Sequence, residues 1–551
     1  MNNFTDIFAN FIDGFSFRQG SQDVKQVKIA AFLKAFTITL IIGLIGEYAF
    51  LIPLNLRSPQ FIIYFCILLL IFNGLYFMLS QRFSKITKYS LIVIGILIAY
   101  VAIGTFVSSP IFNAGSYQKQ LKLDKKADFY ADNKTISYQS IPVVDRDSAI
   151  KLGDRKMGQM VDYVSQFEVD ESYEQINYQD TPYRVTPLEY SDLIKWFTNQ
   201  SEGIPAYIKI DMATQDTELV KLDKPIKYSQ SEHLNRNIDR HLRFRYPTYI
   251  FDTLSFEIDD NGTPYWVCPV KKYNIGLFGG VTIGRVVLCN AITGETQDFA
   301  VEDCPQWVDH VYSADLLVQL YDYYGTLKNG YFNSVLGQKG CLRTTSGYNY
   351  LALEDDVWVY TGITSVSGDQ SNVGFVLMNQ RTMETRFYEI NGAEEYSAMG
   401  SAEGQVQHLG YKSTFPLLLN IAGEPTYFMA LKDGAGLVKM YAMVNIQKYQ
   451  NVAIGDTAAE CEKAYRSLLK QNGIATEETR SVNEAKGKIK KIAQGVVEGN
   501  SHYYIMLEGN NEIFDVSVVD YLDIIKYNEG DQITIEYTPG DQANIVLNIK
   551  Q

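Results

Sequence analysis

Residues 35–53 read AFTITLIIGLIGEYAFLIP, an apolar run long enough to cross a lipid bilayer as a helix. A second run, FIIYFCILLLIFNGLYFML, covers residues 61–79, and a third, YSLIVIGILIAYVAIGTFV, covers residues 89–107. At a rise of about 1.5 Å per residue, each run matches a hydrocarbon core roughly 30 Å thick. Peptide groups in lipid must bond to one another, so each run is expected to be helical. The sequence therefore predicts a membrane-anchored protein with three transmembrane helices.

Basic residues in the flanks of these runs predict their orientation, because positive charge tends to stay on the cytoplasmic side. Arg18, Lys25 and Lys28 lie in the segment before the first run, Arg57 lies in the first loop, and three basic residues lie in the second loop (Arg82, Lys85, Lys88). This distribution predicts a cytoplasmic N-terminus and a large extracytoplasmic C-terminal region.

Two features of the membrane region leave alternatives open. Phe4–Phe17 has apolar residues at helical spacing, which predicts an amphipathic helix lying on the membrane surface or packing against the transmembrane helices. Glu47 lies inside the first apolar run, where a carboxylate is costly. Glu47 either has a structural role at the membrane interface or belongs to an ion or proton pathway.

Charge distinguishes the soluble region from the membrane region. The whole chain of 551 residues has a net charge of −14, and residues 1–110 have eight basic and four acidic side chains. The remainder is therefore strongly acidic, which argues against non-specific binding of nucleic acid. A hydrophobic fraction of 46% indicates folded domains with packed cores.

The six cysteines do not form a disulfide framework or a CxxC pair. Cys66 lies in an apolar run, and the other five are scattered through the soluble region. Cys268 and Cys289 lie on segments predicted to be neighbouring strands. Two alternatives remain: the two cysteines form a disulfide, or each is a free thiol in the core.

The region from residue 138 to residue 455 has a mixed pattern of helices and strands. Helices are expected at Asp145–Val164, Tyr190–Asn199 and Val308–Tyr324, and a further helix at Thr457–Gln471. Between them lie short alternating segments interrupted by Gly, Asn and Asp, which are typical of strands and turns.

An internal repeat lies within these strands. Three apolar strands are each followed by Asp/Asn-x-x-Thr-x-Asp/Glu, at Asp211, Thr214, Asp216; Asn290, Thr293, Glu295; and Asn379, Thr382, Glu384. Asp or Asn at the first position is expected to cap the following amides, and Thr to continue the capping, before the chain reverses. The pattern predicts a structural turn and requires no chemistry.

Another strand precedes each of these turns, at residues 181–185, 263–267 and 357–360. A degraded fourth copy is expected from residues 425–428 to residues 444–445. Tyr265, Trp266 and Trp358 on these strands are candidate contacts for a partner, and the alternative is that they form the core.

The repeat resembles the end of the small PepSY domain, in which a strand, Asp-x-x-Thr-Gly-Glu and another strand follow in order. Residues 290–295, NAITGE, match it best, whereas Gln215 and Met383 replace the Gly in the other copies. The whole chain is also similar to a family of bacterial membrane-spanning proteins without an established mechanism. The resemblance implies a helix packed on a short antiparallel sheet in an exported protein, and a role in binding or inhibition rather than catalysis.

The composition changes again at Lys486. Five short alternating segments follow, at residues 487–497, 502–508, 512–518, 532–537 and 543–549. Five strands in so short a stretch predict a small β-barrel of the OB or SH3 kind. Basic residues cluster only at its start, so we expect a structural or protein-binding barrel and no nucleic acid.

A search for catalytic motifs finds no HExxH, GxSxG or phosphate-binding loop. His233 and His241 are candidates for one helix face, but nothing completes a metal site. Gly276–Gly280 is expected to be a hairpin turn, and Asp259–Gly262 and Glu354–Asp356 are acidic turns with too few oxygens for calcium.

One further group of residues is a candidate catalytic site. Cys304, Asp309 and His310 lie close in sequence, and a Cys nucleophile with a His base is conceivable. Proximity in sequence alone does not assemble such a site.

These observations predict an α+β protein. Its expected parts are an amphipathic segment (1–27), three transmembrane helices (28–110), a connector (111–137), PepSY-like repeats (138–455), a helix and linker (456–485) and the barrel (486–551). We expect a cell-envelope protein whose non-catalytic outer domain binds or scaffolds another envelope protein or a wall component, without a cofactor or metal.

Two alternatives remain. The chain is a regulatory or inhibitory subunit of an envelope enzyme such as a peptidase, or it is a hydrolase without a recognisable motif. A concave pocket that gathers polar side chains from several repeats would favour the enzyme, and a flat aromatic patch would favour binding.

Overall fold

The computed structural model describes residues 24–81, 83–133, 141–366, 371–471, 483–497, 500–518, 521–538 and 543–550. The predicted amphipathic helix Phe4–Phe17 lies outside these residues.

Three long apolar helices form the N-terminal part of the structure, and they confirm the three predicted membrane spans. They are α1 (Val24–Phe50), α2 (Pro59–Ser80) and α3 (Lys85–Ser108). Their most apolar windows have mean hydropathies of 2.2, 2.4 and 2.5, and most of their side chains are exposed to the surroundings, as lipid-facing residues would be. The hydroxyls of Ser58 and Ser84 cap the N-termini of α2 and α3.

The predicted connector has local structure of its own. It contains α4 (Pro110–Gln118), the short strand β1 (Leu123–Asp124) and α5 (Phe129–Asp132). β1 pairs in parallel with a strand near residue 385, so the connector joins the soluble region through a sheet edge.

Four consecutive units follow, and each contains a helix and a four-stranded antiparallel meander. The first unit has α6 (Arg146–Gly158), β2 (Phe167–Val169), β3 (Glu174–Tyr178), β4 (Thr181–Tyr190), α7 (Leu193–Asn199), β5 (Ile204–Asp211) and β6 (Thr217–Ile226). The second unit has α8 (Ile238–Arg245), β7 (Ser255–Ile258), β8 (Pro264–Ile275), β9 (Gly279–Asn290) and β10 (Thr296–Ala300).

The third and fourth units repeat the arrangement with extra short strands. The third has α9 (Ala314–Thr326), β11 (Leu342–Thr344), β12 (Asn349–Leu353), β13 (Asp356–Ser365), β14 (Ser371–Asn372), β15 (Gly374–Asn379) and β16 (Thr385–Tyr388). The fourth has β17 (Gly392–Ala393), α10 (Glu395–Gln405), β18 (Lys412–Ser413), β19 (Leu417–Ile421), β20 (Glu424–Lys432), β21 (Val438–Asn445) and β22 (Val452–Gly455). The helix α11 (Ala458–Gln471) packs on β21 and β22.

The predicted helices are present with corrected boundaries. α6 ends at Gly158 rather than Val164, and α7 begins after Asp192, because the side chain of Asp192 caps it and Tyr190 belongs to β4. α9 begins at Ala314 because Ser313 caps it, so the residues from Val308 to Ser313 form a loop. Helices α8 and α10 were not among the predicted helices, because α8 is short and highly charged and α10 contains two glycines.

Neighbouring units share cores. Along β8, Trp266 and Cys268 face a core made with the first unit, whereas Val267 faces a core made with the third. Along β13, Trp358 and Tyr360 face the fourth unit and Val359 faces the second. Side chains alternate along a strand, so the sheets of the two central units are buried on both faces. The four units therefore form one packed body.

All six cysteines are buried and free. Cys268 pairs with Val287 across β8 and β9, and Cys289 pairs with Trp266, so the two thiols lie on neighbouring strands without facing each other directly. This answers the question of a bridge that the sequence left open.

The last five strands are β23 (Asn483–Val497), β24 (Asn500–Leu507), β25 (Ile513–Ser517), β26 (Gln532–Thr538) and β27 (Asn544–Lys550). They hydrogen-bond in a closed cycle, β23-β24-β25-β27-β26, and the β25–β27 pair is parallel. Their core includes Ile489, Ile505, Phe514 and Ile535. Assignment of this domain to the OB or SH3 class stays a prediction.

Candidate functional site

A cleft of about 510 Å³ lies where the four units meet. Each unit contributes to its wall: the first through Glu174, Gln175 and Arg184, the third through Tyr350, and the fourth through Phe415. The second unit adds the segment 252–255, and His310 lies in the loop before α9. No single repeat contains this site; it exists only because the units pack together.

The loop before α9 is held by one buried carboxylate. Glu257 on β7 is 0% exposed, and it accepts hydrogen bonds from the backbone N–H groups of Asp309 (2.8 Å) and His310 (3.0 Å). The Nδ1 atom of His310 lies 3.2 Å from the same carboxylate. On the other side of the ring, Nε2 lies 3.8 Å from Glu174, which opens on the cleft. The imidazole is thus held between two carboxylates at the cleft wall.

Asp309 points away from the cleft and joins two units. One carboxylate oxygen accepts a hydrogen bond from the backbone N–H of Asn177 in the first unit (2.7 Å), and the other accepts one from Val357 in the third (3.1 Å). The side chain is 1% exposed. Asp309 therefore fixes the position of its neighbour His310 relative to both units.

The acidic surroundings control the charge of His310. Burial alone would lower the pKa of this imidazole, but the hydrogen bond with Glu257 and the charges of Glu257, Glu174 and Asp309 raise it to about 9. Burial raises the pKa of Glu174, and His310 opposes the rise. Burial and the charge of Glu257 also raise the pKa of Asp309. At neutral pH the cleft wall therefore presents an imidazolium, which is a hydrogen-bond donor and not a base.

Tyr173 and Arg184 shape the wall beside Glu174. The φ of Tyr173 is +38°, which is unusual for a residue with a side chain. Its carbonyl accepts a hydrogen bond from Arg184 Nη1 (3.1 Å), and Val144 O accepts one from Arg184 Nε (3.1 Å). Burial lowers the pKa of Arg184. A buried cation thus holds the strained backbone that leads into Glu174 and Gln175.

Gln175 has a side chain without a hydrogen-bond partner in the described part of the chain. It is 2% exposed, and both its amide oxygen and its amide nitrogen are unpaired. It lines the cleft next to Glu174. Buried amides are almost always paired, because an unmade hydrogen bond costs about 1–3 kcal/mol. An ordered water or a ligand group that reached this part of the wall would satisfy the amide.

The three predicted turn motifs have the same hydrogen bonds. The first side chain of each accepts from the backbone N–H groups two and three residues later, as Asn290 does from Ile292 and Thr293 (both 2.9 Å). The Thr hydroxyl then accepts from the N–H of the acidic residue, as Thr293 does from Glu295 (3.2 Å). The other two sets are Asp211, Thr214, Asp216 and Asn379, Thr382, Glu384. These residues shape turns and do not enter the cleft.

The prediction that aromatic strand residues contact a partner needs correction. Trp266 and Trp358 are 2% and 1% exposed, because both belong to the cores between units. Tyr265 is half-buried and packs on Trp307, with ring centroids 5.1 Å apart. The alternative interpretation, in which the tryptophans are core residues, is the correct one.

The candidate catalytic and metal groups are not assembled as the sequence suggested. His233 precedes a short 3-10 turn and packs on Trp196, whereas His241 lies in α8 and contacts the Gly294 carbonyl. Burial raises the pKa of the Cys304 thiol to about 12, so it is not a ready nucleophile. The described residues contain no group of three or more potential metal ligands.

Two hairpin predictions describe their turns well. Gly276–Gly280 connects β8 to β9, and Asp259 accepts hydrogen bonds from Asn261 and Thr263 at the turn between β7 and β8. Glu354 and Asp355 form the corresponding turn between β12 and β13, with φ values of +55° and +60°.

Comparison of the chain with known protein families finds no match, and comparison with curated proteins finds none.

Proposed function

We propose that this chain is a bacterial cell-envelope protein that binds a small polar ligand in the cleft between its four units. We call these units together, residues 141–455, the repeat region, and we propose that it is extracytoplasmic. The observation that carries the proposal is Gln175, a buried amide with both polar atoms unpaired at the wall of this cleft. The cleft volume of about 510 Å³ lies within the range of small-molecule sites. Its wall contains an imidazolium, five acidic side chains, two arginines and three tyrosines, which suit a polar ligand with hydroxyl or amide groups.

A hydrolase remains the second candidate, because a concave polar pocket is also what an enzyme requires. The specific observation is Glu174, which faces the cleft and has a raised pKa, as a general acid would. Two serine hydroxyls of the described wall already have structural hydrogen bonds: the Ser313 hydroxyl caps α9, and the Ser255 hydroxyl donates to the buried carboxylate of Glu257. Binding without chemistry is therefore the simpler proposal, and loss of any hydrolysis in Glu174→Gln would favour the enzyme.

Sidedness follows from combining the charges with the fold. The backbone N–H of Leu54 donates to the Pro247 carbonyl (2.8 Å), so the first loop and the repeat region lie on the same side of the membrane helices. Arg57 is the only basic residue of that loop, whereas the second loop contains three basic residues. By the positive-inside tendency, this supports an extracytoplasmic repeat region.

We also infer the domain classes from topology. A helix with a four-stranded antiparallel meander supports a PepSY-like unit, and the strand order of the C-terminal cycle with one parallel pair supports an OB-type barrel. In this proposal the barrel contacts another envelope protein or a wall component, as a scaffold or as a regulatory subunit of an enzyme such as a peptidase.

A thermal-shift screen tests the ligand proposal. Full-length protein in lipid nanodiscs is heated with short peptides, sugars and other small polar compounds, and unfolding is followed by tryptophan fluorescence. We expect a compound that raises the midpoint of the wild type and of Gln159→Met, an exposed control, but not of Gln175→Met. Equal shifts in all three proteins, or none with any compound, would contradict the proposal.

Sidedness has its own test. Leu437→Cys places an exposed thiol in the fourth unit, and Gln81→Cys places one at the end of α2. A membrane-impermeant maleimide added to intact cells should label the first variant and reach the second only after permeabilisation. The reverse result would place the repeat region in the cytoplasm.

A further inference from the structure

Five large apolar side chains are exposed on one part of the repeat region, on α7 and around α8. Leu193, Ile194 and Phe197 are 62%, 72% and 70% exposed on α7, and Leu234 and Phe244 are 58% and 55% exposed. We call these five residues the apolar face. A contiguous group of exposed apolar residues usually marks a contact with a protein or a membrane.

Helix α8 lies against the end of membrane helix α1. Arg240 Nε donates to the Tyr48 carbonyl (3.2 Å), and its guanidinium lies 4.4 Å from the centre of the Tyr48 ring. Arg243 Nε donates to the Leu51 carbonyl (2.9 Å). The ring of Phe244 lies 5.9 Å from that of Tyr48. Phe244 therefore lies at the depth of the last turn of α1, where this helix leaves the hydrocarbon.

Helix α7 is fixed to the segment that precedes α8. Trp196 on the inner side of α7 donates to Glu232 (2.9 Å) and packs on His233, with ring centroids 4.7 Å apart. The carbonyl of the next residue, Leu234, accepts a hydrogen bond from Arg240 Nη1 (2.8 Å). Because Trp196 is buried, Leu193, Ile194 and Phe197 are directed outward, and the contacts of Trp196 place α7 beside the segment that contains Leu234.

The charges around the apolar face suit lipid phosphates, although the soluble region is acidic overall. Among the residues of 192–199 and 232–245 that are not buried, four are basic and two are acidic (Lys195, Arg236, Arg240, Arg245; Asp192, Asp239). A groove of about 320 Å³ also opens between α8 and α1, lined by Tyr48, Asn235, Arg240, His241 and Phe244. Basic side chains beside apolar ones are typical of segments that lie in the headgroup layer.

We propose that the apolar face enters the interfacial layer of the same bilayer that α1, α2 and α3 cross. The apolar side chains reach the boundary between headgroups and acyl chains, and the arginines remain among the phosphates. Continuity with the lipid-exposed surface of α1 at Tyr48 identifies lipid, rather than a second copy of the chain, as the occupant. The repeat region is thereby held against the membrane at a fixed tilt.

Spin labelling measures this contact in the full-length protein. The variants Phe197→Cys and Ile194→Cys place a nitroxide on the apolar face, and Leu437→Cys places one at an exposed apolar position of the fourth unit. The native cysteines are buried, and unmodified protein gives the background. In nanodiscs, collision rates are measured with oxygen, which concentrates in lipid, and with a water-soluble nickel chelate. Tryptophan fluorescence checks that each variant is folded.

The three possible results are distinct. A label in lipid collides more often with oxygen and less often with the nickel chelate than the control label at residue 437. This is the result that we expect for the labels at residues 194 and 197. Rates equal to those at residue 437 would place the face in water and overturn the proposal. A fall in both collision rates would mean that protein covers the face, and this would also overturn it.

Discussion

Asp309 and Asn177 are joined across 132 residues of sequence, because the carboxylate of the first accepts a 2.7 Å hydrogen bond from the backbone N–H of the second. The other oxygen of Asp309 accepts from Val357. One side chain thus connects β3 of the first unit to β13 of the third, and places His310 at the wall of the cleft.

Replacing Asp309 with Asn is expected to destabilise the repeat region by about 2 kcal/mol, because an amide NH₂ group must then face a backbone N–H. All four tryptophans lie between residues 196 and 358, so their fluorescence reports the unfolding of this region by denaturant. The exposed control Asp303→Asn should change the free energy of unfolding by less than about 0.5 kcal/mol. Equal effects of the two substitutions would refute the connecting role of Asp309.

The stability of the repeat region should fall as the pH rises from 6.5 to about 9. The pKa of His310 is about 9 in the folded protein, above its ordinary value of 6.5. The contribution of a raised histidine pKa is fully present below the unfolded value and is lost as the pH passes the folded value. At about 1.4 kcal/mol per pKa unit, the loss is at most about 3 kcal/mol.

His310→Gln separates this contribution from those of other groups, since it removes the titrating ring. The variant should be less stable than the wild type at pH 6.5, and its stability should change much less between pH 6.5 and 9. A wild-type slope that persists unchanged in the variant would assign the pH dependence to another group.

Gly294→Ala is expected to destabilise the protein by about 2–4 kcal/mol. The φ of Gly294 is +74°, and an added Cβ would clash with the ring of Tyr228. Gln215 occupies the equivalent position of the first turn with a φ of +63° and an exposed side chain. Gln215→Gly should therefore alter the free energy of unfolding by less than about 1 kcal/mol. If both changes had the same effect, contact with Tyr228 would not be the cause.

Gln175→Met should affect stability and binding in opposite directions. Met has a similar volume and no polar atoms, so removal of the unpaired buried amide should stabilise the unliganded protein by roughly 1–2 kcal/mol. The same change should abolish the thermal shift produced by a ligand of the cleft. A less stable variant would show that the amide is already satisfied in the unliganded protein.

Arg243→Lys should loosen the contact between the repeat region and the membrane helices. The guanidinium donates to carbonyls on both sides of that contact, including Leu51 O and Tyr249 O (2.7 Å), and a lysine cannot span them. Hydrogen exchange of the Leu54 amide, which is bonded to Pro247 O, should accelerate in nanodiscs. The neighbouring exposed control Arg245→Lys should leave that exchange rate unchanged; acceleration in both variants would contradict the prediction.

Local patterns predicted much of this fold. The membrane helices were predictable because an apolar run of about 20 residues with at most one charged side chain matches the width of a bilayer. The turns were predictable because the side chains of Asn290 and Thr293 bond to amides within a few residues of themselves. The same short motif occurs at three places in the sequence, which made its repetition visible. Helix boundaries were less accurate before α9, because Val308, Val311 and Tyr312 have helical spacing although they belong to a loop that ends at the capping residue Ser313.

Local sequence patterns could not predict the cleft. His310 was considered with Cys304, its neighbour in sequence, whereas its partners Glu257 and Glu174 lie in other units. Their spacing follows no helical or strand period, so only the packing of the units brings them together. One sequence signal for the cleft was available: Glu257 is an isolated acidic residue between Phe256 and Ile258 on a short apolar strand.

The division of the cleft wall among four units has a consequence for synthesis. The wall begins at Asp145 and is completed only by Thr414 and Phe415, so a nascent chain has no site until the fourth unit has emerged and docked. If the cleft binds a ligand as proposed, binding would report that all four units have folded, and a truncated product would keep its membrane anchor and lose the ligand site.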